Sequence, residues 1–226
     1  MGADLARDDR IARQMVNFVY LIGDRETGEA VAVDPAYAPG EIVDCLEADG
    51  MRLVGALATH YHADHVGGSL FGHEIAGLSD LLERTQVPVH VQSCESPWIL
   101  KATTLSATDL VTHEAGDEIS VGEMRIACIH TPGHTPGSQC FLVEGRLVAG
   151  DTLFLQGCGR TDLPGSDPGA MYDSLVNRLA RLPDDVVVYP GHLYSPEPHA
   201  SLGETKRRNP VLAPRSPDEW LALFGP

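Results

Sequence analysis

The chain has 226 residues, of which 43% are hydrophobic and 21% charged, so it is not a disordered chain and can build a folded core. Its 16 basic and 32 acidic side chains give a net charge of −16, which repels nucleic acid and anionic lipid. The sequence contains no uncharged apolar run of about 18 residues, and its first residues lack the apolar stretch of a signal peptide. We therefore expect a cytoplasmic protein with neither a nucleic-acid nor a membrane partner.

The first half of the chain predicts strands that alternate with short helices. Two β-branched or aromatic runs, at 15–22 and 30–33, flank a glycine-containing turn and predict a hairpin. An amphipathic helix is predicted over 41–48, and a continuous apolar strand over 53–58. A second helix is expected at 78–84 and another strand at 87–91. Residues 92–112 show no clean period, so we predict a loop-rich insertion there.

The second half contains two predicted hairpins, over 120–129 and 139–149. Asp167 and Pro168 are typical of the first positions of a helix, and apolar residues at helical spacing extend it to Leu182. A last core strand at 186–189 precedes a proline-rich tail, at about 196–226, with one short apolar helix near 220–224. Hairpins mixed with crossover helices favour two mixed sheets with helices outside, in one domain over 1–226.

The strongest chemical signal directly follows the strand at 53–58. Residues 59–65 have the sequence T-H-Y-H-A-D-H, which places three imidazoles and one carboxylate within six residues. In an extended chain His60, His62 and Asp64 point to one side, and a turn would bring His65 round as well. Imidazole and carboxylate are ligands that suit Zn, Fe or Mn, so this motif predicts a metal site.

Three further polar residues follow apolar strands or lie in turns rich in proline and glycine. His134 lies within T-P-G-H-T-P-G-S, Asp151 follows L-V-A-G, and His192 follows Y-P-G. Loops at strand ends are where a rigid scaffold displays catalytic groups. Together with the first motif they provide five histidines and two aspartates, which is enough for two metal ions.

The order of these motifs resembles the metallo-β-lactamase-fold superfamily, from T-H-x-H-x-D-H through G-D-T-L-F to Y-P-G-H, and it spans positions 15–192. The resemblance implies an α/β fold, a four-layer αβ/βα sandwich of two mixed β-sheets flanked by helices, with the site at one edge between the sheets. It also implies two divalent metal ions, with Zn expected first and Fe or Mn as alternatives. Asp34 resembles an acid that orients metal ligands, although it also suits a cap for the turn before Pro35. The implied ligands are His60, His62 and His134 for one ion, Asp64, His65 and His192 for the other, and Asp151 between them.

Within the superfamily, positions 151–160 and 191–194 resemble glyoxalase II, a hydroxyacylglutathione hydrolase. This resemblance implies hydrolysis of a small-molecule thioester or thiol conjugate by a metal-bridged hydroxide, with Asp64 and Asp151 as the catalytic carboxylates. Arg160 and Tyr194 take the positions that contact the thiol carrier, and Lys206 is a candidate for a further anion contact. The residues after Arg160 depart from that family, so the sequence leaves the identity of the thiol carrier open. It also leaves open whether the protein forms a homodimer.

Positions 60–65 and 157–162 also resemble persulfide dioxygenases of this superfamily, whereas 131–138 and 190–192 are more similar to hydrolases. The dioxygenases hold one Fe(II) by two histidines and one aspartate, which here are His60, His134 and Asp151. The alternative function is therefore a mononuclear iron oxidoreductase. The seven retained candidate ligands favour the hydrolase, and they disfavour a non-catalytic binding module.

Overall fold

Two β-sheets pack face to face at the centre of the protein; the computed structural model describes residue 4 and residues 6–214 and 216–225. The first sheet contains β1 Tyr20–Asp24, β2 Glu29–Val33, β3 Arg52–Leu57, β6 Val89–Gln92 and β7 Leu110–His113. Between its members runs a separate hairpin, β4 Gly68–Leu70 with β5 His73–Ile75. The second sheet contains β8 Glu118–Val121, β9 Met124–His130, β10 Gln139–Val143, β11 Arg146–Gly150, β12 Val187–Pro190 and β13 Ala200–Ser201.

Both sheets are mixed. The first has the order β1-β2-β3-β6-β7, in which β1 and β2 form the predicted antiparallel hairpin and the other pairs are parallel. The second has the order β13-β12-β11-β10-β9-β8, with β11 and β12 as its parallel pair. The predicted hairpins β8–β9 and β10–β11 are both present.

Three clusters of buried apolar residues separate four layers. Along β2, Ala30 and Ala32 face helices, whereas Val31 and Val33 face the second sheet, because successive side chains of a strand point to opposite sides. A third cluster joins the second sheet to helices that include Trp220. The predicted αβ/βα sandwich is therefore confirmed. Its helices are Arg10–Met15, Pro39–Ala48, Ala63–Val66, Leu78–Arg84, Ser96–Ala102, Pro168–Tyr172, Leu202–Arg208 and Pro217–Phe224.

Two element predictions are wrong. The run at 15–22 is not one strand, because Asp9 caps a helix over Arg10–Met15 by accepting from the backbone N–H groups of Ile11 and Ala12. Residues 92–112 are not loop-rich, since they contain helix Ser96–Ala102 and strand β7. The partner of β7 is β6, which is distant enough in sequence that local periodicity could not reveal the pairing.

The late helix follows the prediction at its start. Asp167 accepts a hydrogen bond from the Ala170 N–H at 3.0 Å, and Pro168 occupies the first turn. The helix Pro168–Tyr172 then continues through a π-helical turn, Asp173–Arg178, and a final 3₁₀ turn at Leu179–Arg181.

The segment after residue 196 packs on the second sheet. It contains the predicted helix near 220–224, here Pro217–Phe224, and also β13 and helix Leu202–Arg208, which the sequence did not predict. Asn209 anchors the loop after β11, since its Nδ2 donates to the carbonyls of Phe154 at 2.9 Å and Gly157 at 2.8 Å. Among the described residues, no helix combines the length and apolarity that crossing a bilayer requires.

Candidate metal centre

Asp151 and His192 follow neighbouring parallel strands and therefore meet at one sheet edge. Gly150, the last residue of β11, is paired with Pro190 of β12. A Cβ atom on Gly191 would lie 2.4 Å from Asp151 Oδ1, so only glycine lets this backbone pass so close to the carboxylate. The strand ends thus bring one aspartate and one histidine side by side.

The residues predicted from the first motif lie at the same edge. The backbone N–H of Gln139, at the start of β10, donates to the Thr59 carbonyl at 2.9 Å and ties the end of β3 to the second sheet. The candidate ligand atoms then form three groups, each with its atoms within 4.8 Å of one another; one of them, Asp34 with His60 and His65, overlaps the other two. Of those two, the first group is His60, His62 and His134, and the second is Asp64, His65 and His192.

Asp151 lies between these two groups. Its Oδ2 is 3.7 Å from His134 Nε2 and 3.2 Å from His192 Nε2, and its Oδ1 is 3.4 Å from His65 Nε2. Among the described residues, Asp151 Oδ1 is buried without a hydrogen-bond partner. An anionic oxygen in that position is costly unless a cation completes its surroundings.

Hydrogen bonds on the far side of the rings turn the histidines towards the centre. Nδ1 of His134 lies 2.8 Å from the Arg160 carbonyl oxygen, and Nδ1 of His192 lies 2.6 Å from the Met15 carbonyl oxygen. A carbonyl only accepts, so these Nδ1 atoms carry the proton, and the Nε2 lone pairs face the site.

Asp34 orients two further histidines. Its Oδ2 lies 2.9 Å from His65 Nδ1 and accepts the Thr59 hydroxyl at 2.6 Å, while its Oδ1 accepts the Thr59 N–H at 2.8 Å. Because the Thr59 hydroxyl donates to Asp34, it accepts from His60 Nδ1, which is 3.0 Å away. In the neutral form of these rings, one carboxylate therefore places the proton on Nδ1 and the lone pair on Nε2 of both His60 and His65, as metal ligands require.

The ring nitrogens that face the site lie at contact distance from one another. His62 Nδ1 is 3.1 Å from His60 Nε2 and 3.0 Å from His134 Nε2, and His65 Nε2 is 3.2 Å from His192 Nε2. Two nitrogens bound tetrahedrally to one Zn²⁺, each about 2.0–2.1 Å from it, lie about 3.3–3.4 Å apart. The donor atoms and their spacing therefore fit bound metal.

The electrostatics differ between the two groups. In the first, burial and then neighbouring imidazoles hold the pKa of His60 well below its usual value and lower the pKa of His62 to about 4. In the second, burial lowers the pKa of His65, but the carboxylates of Asp64, Asp151 and Asp34 outweigh it and raise that pKa to about 10. His60 and His62 are thus neutral and ready to bind, whereas His65 attracts positive charge from a proton or a metal ion.

Two buried polar residues near the site, Glu95 and Asn17, belong to none of the sequence motifs. Glu95 accepts from the N–H groups of Tyr61 and Gly137, both at 2.7 Å, and from the Thr135 hydroxyl at 2.8 Å, so it joins the two loops that carry the first group. Asn17 donates to Asp64 Oδ2 at 3.2 Å and accepts from the Tyr37 hydroxyl at 3.2 Å. The sequence offered one signal for these residues: Asn17 is polar although it lies within the apolar run at 15–22.

A cavity of about 870 Å³ opens over the metal centre. Its inner end exposes Asp64, His134, Asp151 and His192. Its walls are mostly apolar or aromatic, formed by residues such as Tyr61, Leu70, Phe71, Phe154, Leu163 and Tyr194. This combination of an apolar cleft with a few convergent polar groups is typical of a small-molecule site.

The structure places two of the three predicted substrate contacts on this cavity. Tyr194 stacks on His192, with ring centroids 4.7 Å apart and 4° between the planes. Arg160 lines the cavity, but Asp162 holds its guanidinium with two hydrogen bonds of 2.9 and 2.8 Å. Lys206 does not line the cavity, since its Nζ donates to Asp184 Oδ1 at 2.7 Å on another part of the surface.

Cys158 also lines the cavity. Burial raises the pKa of its thiol to about 12, so the thiolate is scarce at neutral pH and the residue is a poor nucleophile. Chemistry in this cavity therefore depends on the histidine and aspartate cluster. A four-layer sandwich with such a cluster at the edge between its sheets is a metalloenzyme fold.

Residues 13–192 match the sequence profile of the Metallo-beta-lactamase superfamily, and the chain belongs to this superfamily. The human persulfide dioxygenase ETHE1, a mitochondrial protein, is 32% identical over 216 residues, which are 92% of this chain and 76% of that protein. The hydroxyacylglutathione hydrolase of Bradyrhizobium sp. (strain ORS 278) is 40% identical over 181 residues, which are 79% of this chain and 63% of that protein.

Solved structures lead to the same superfamily. The crystal structure of ETHE1 from Myxococcus xanthus superimposes with a TM-score of 0.77 and 32% identity, over 94% of this chain and 86% of that one. The crystal structure of TTHA1623 in a di-iron-bound form superimposes with a TM-score of 0.70 and 30% identity, over 86% of this chain and 94% of that one. The suspected resemblance to both hydroxyacylglutathione hydrolases and persulfide dioxygenases is therefore confirmed.

Proposed function

We propose that this protein is a binuclear metallohydrolase that cleaves a small-molecule thioester. The observation that carries the proposal is the pair of ligand groups that share Asp151, each with nitrogen lone pairs facing inward. A mononuclear enzyme has no need for the second group. The di-iron form of the similar protein TTHA1623 supports two metal ions in this fold.

In this proposal His60, His62 and His134 hold one ion, Asp64, His65 and His192 hold the other, and Asp151 contacts both. Two divalent cations held there, Zn²⁺ first and Fe or Mn as alternatives, supply Lewis acidity and lower the pKa of water towards ~7. Asp34 sets the tautomer in which the Nε2 atoms of His60 and His65 face the site, and Glu95 holds two ligand-bearing loops together. Since a thiolate is a good leaving group, the chain needs no further acid.

The cavity walls position the substrate. Tyr194 stacks on His192 and exposes 48% of its surface, so its ring is available to the thiol carrier beside the metal centre. Burial, and then Asp151 and Asp64, raise the pKa of the Tyr194 phenol to about 12, which keeps it a hydrogen-bond donor at neutral pH. Arg160 offers a cation to an anionic carrier once the substrate competes with Asp162.

A second candidate function is persulfide oxidation at a single Fe(II) held by His60, His134 and Asp151. The specific observation in its favour is the similarity to persulfide dioxygenases over more than nine-tenths of the chain. The two functions differ in which ligands they require, because His62 and His192 have no role at a single iron.

The test combines metal analysis with two activity assays on His62→Ala and His192→Ala. We expect two metal ions per chain in the wild type, and fewer in each variant. We also expect both variants to lose at least about 100-fold in kcat/KM for release of thiol from acylglutathione, because each lost ligand removes transition-state stabilisation. The matched control is His90→Gln, a histidine outside the cavity, which we expect to keep both metals and the wild-type rate.

Oxygen uptake with glutathione persulfide is the opposing measurement. If that activity survives His62→Ala and His192→Ala but disappears in His60→Ala, the protein is a dioxygenase and the hydrolase proposal is wrong. One iron per chain in protein purified without chelator would support the same conclusion.

A further inference from the structure

Part of the cavity wall is formed by three elements that carry no candidate metal ligand. We define the hairpin wall as the cavity residues contributed by the end of helix Arg10–Met15, by the β4–β5 hairpin and by the end of helix Ser96–Ala102. Its members are Met15, Ser69, Leu70, Phe71, Lys101 and Ala102. Four of the six are apolar, and the polar members are Ser69 and Lys101.

The tip of this hairpin is unusual. Phe71 and Gly72 form a two-residue turn in which both residues have positive φ, 52° and 78°. Such a turn favours Asn or Gly, and a bulky ring at its first position is unfavourable. Phe71 is also 94% exposed, the most of any large apolar side chain in the described part of the chain. Folding therefore gains nothing from this ring.

The base of the hairpin is held firmly. Leu70 and Ile75 pack in a small apolar cluster with Ala36 and Tyr37. A Cβ atom on Gly68 would lie 2.5 Å from the Ala102 carbonyl oxygen, so the hairpin and helix Ser96–Ala102 are in tight contact. The exposed ring is thus displayed from a rigid base at the mouth of the cavity.

Another part of the cavity rim carries polar groups. Arg160 and Tyr194 supply a guanidinium and a phenol, groups that suit a polar, anionic thiol carrier. The hairpin wall supplies carbon, and among the described residues Lys101 forms no ion pair that would draw its stem away. A thioester likewise has two parts, an acyl group and a thiol carrier, on either side of the bond that is cleaved. The acyl group can therefore face the hairpin wall while the thiol carrier faces Arg160 and Tyr194.

We propose that the hairpin wall is an acyl-group subsite and that the natural substrate carries an apolar acyl chain longer than acetyl. This inference rests on the proposed thioesterase function. The acyl chain of the substrate lies against Leu70 and Phe71. The Phe71 ring is therefore removed from water only when substrate is bound. Each methylene buried there contributes about fourfold to binding. The exposed ring is retained because it recognises substrate.

The experiment measures kcat/KM of the metal-loaded enzyme for acetyl, butyryl, hexanoyl and octanoyl thioesters of glutathione. We expect a rise of at least about tenfold from acetyl to hexanoyl, since the wall is partly open to water and buries only some of the added methylenes. In Phe71→Ala we expect the hexanoyl-to-acetyl ratio to fall towards one. The matched control is Leu223→Ala, an apolar residue that is 64% exposed outside the cavity and is expected to keep the wild-type ratio.

Binding of S-hexylglutathione and S-methylglutathione, measured by calorimetry, gives a second readout that needs no turnover. We expect the hexyl compound to bind more tightly to the wild type and to lose that advantage in Phe71→Ala. Equal affinities in the wild type would overturn the acyl-group subsite. So would a Phe71→Ala variant that lowers the rate equally for all four thioesters, or one that responds to a change of thiol carrier instead of chain length.

Failure of the proposed function has a separate signature. An enzyme that hydrolyses acetyl and hexanoyl thioesters equally well is a thioesterase without this subsite. An enzyme that hydrolyses none of them, but takes up oxygen with glutathione persulfide, contradicts both proposals.

Discussion

Histidines gather in two places in the described part of the chain, and the two places differ in how well they suit a metal ion. At the edge between the sheets, five imidazoles and two carboxylates converge. On β6 and β7, His90 and His113 stack with ring centroids 5.0 Å apart and 27° between the planes. The distance between His90 Nδ1 and His113 Nε2 is 2.8 Å, as short as any nitrogen–nitrogen contact in the metal centre.

The two places differ in what surrounds the rings. In the metal centre, backbone carbonyls and Asp34 take the outward N–H groups and leave lone pairs facing inward. In the other pair, one ring donates to the other, so the short contact is an ordinary hydrogen bond between neutral rings. Its nearest carboxylate, Asp117, lies 3.8 Å from the opposite nitrogen of His113. Proximity of histidines is therefore insufficient; a metal site also needs outer acceptors that set the tautomer and a carboxylate directed inward.

Replacing Asp151 is expected to have the largest effect on the metal centre. We expect Asp151→Asn, which keeps the shape but removes the charge shared by both ligand groups, to lose metal from both and to lower kcat/KM on the order of 10³-fold. Metal content by mass spectrometry and thioester hydrolysis check this. The control is Asp184→Asn, whose side chain pairs with Lys206 away from the cavity. Full metal content in Asp151→Asn would show that the carboxylate is not shared.

Asp34→Asn tests the outer acceptors. An amide cannot accept on both sides as the carboxylate does, so the tautomers of His60 and His65 are no longer set. We expect metal affinity to fall by about 10–100-fold, as measured by chelator competition, and excess metal to restore much of the rate. An affinity equal to that of the wild type would mean that Asp34 only caps the turn before Pro35.

The last prediction concerns His90, where we expect an effect on stability and none on metal binding or activity. Burial and then His113 lower the pKa of His90 to about 4, and burial lowers the pKa of His113 as well. The unfolded chain, with a histidine pKa near ~6.5, therefore binds protons more readily than the folded one. The free energy of unfolding should fall as the pH drops from about 6.5 to about 4, by at most about 3 kcal/mol from His90.

His90→Gln isolates that contribution. Urea unfolding of metal-free wild type and variant at pH 7 and pH 5 should show a smaller loss of stability in the variant, because glutamine does not titrate. The ligand histidines contribute equally to both proteins and cancel in the difference. An identical loss in wild type and variant would show that folding does not lower the pKa of His90.

Local patterns predicted much of the fold and failed where partners are distant. The hairpin β1–β2 and the cap at Asp167 follow from turn residues and capping chemistry within a few positions. The strand β7 was missed because its only partner, β6, is far away in sequence and its own burial is weak. Glu95 was missed for the same reason, since its three donors belong to two other loops.

The sequence by itself determined the superfamily and the set of candidate ligands, because metal chemistry requires particular residue types and these occur in recognisable short motifs. Tertiary structure alone decided which ring nitrogens face inward, that Asp151 lies between the two groups, and that Lys206 lies away from the cavity. It also decided that Phe71 is exposed at the cavity mouth. These features depend on how strand ends and loops from distant parts of the chain approach one another, and no local pattern encodes that approach.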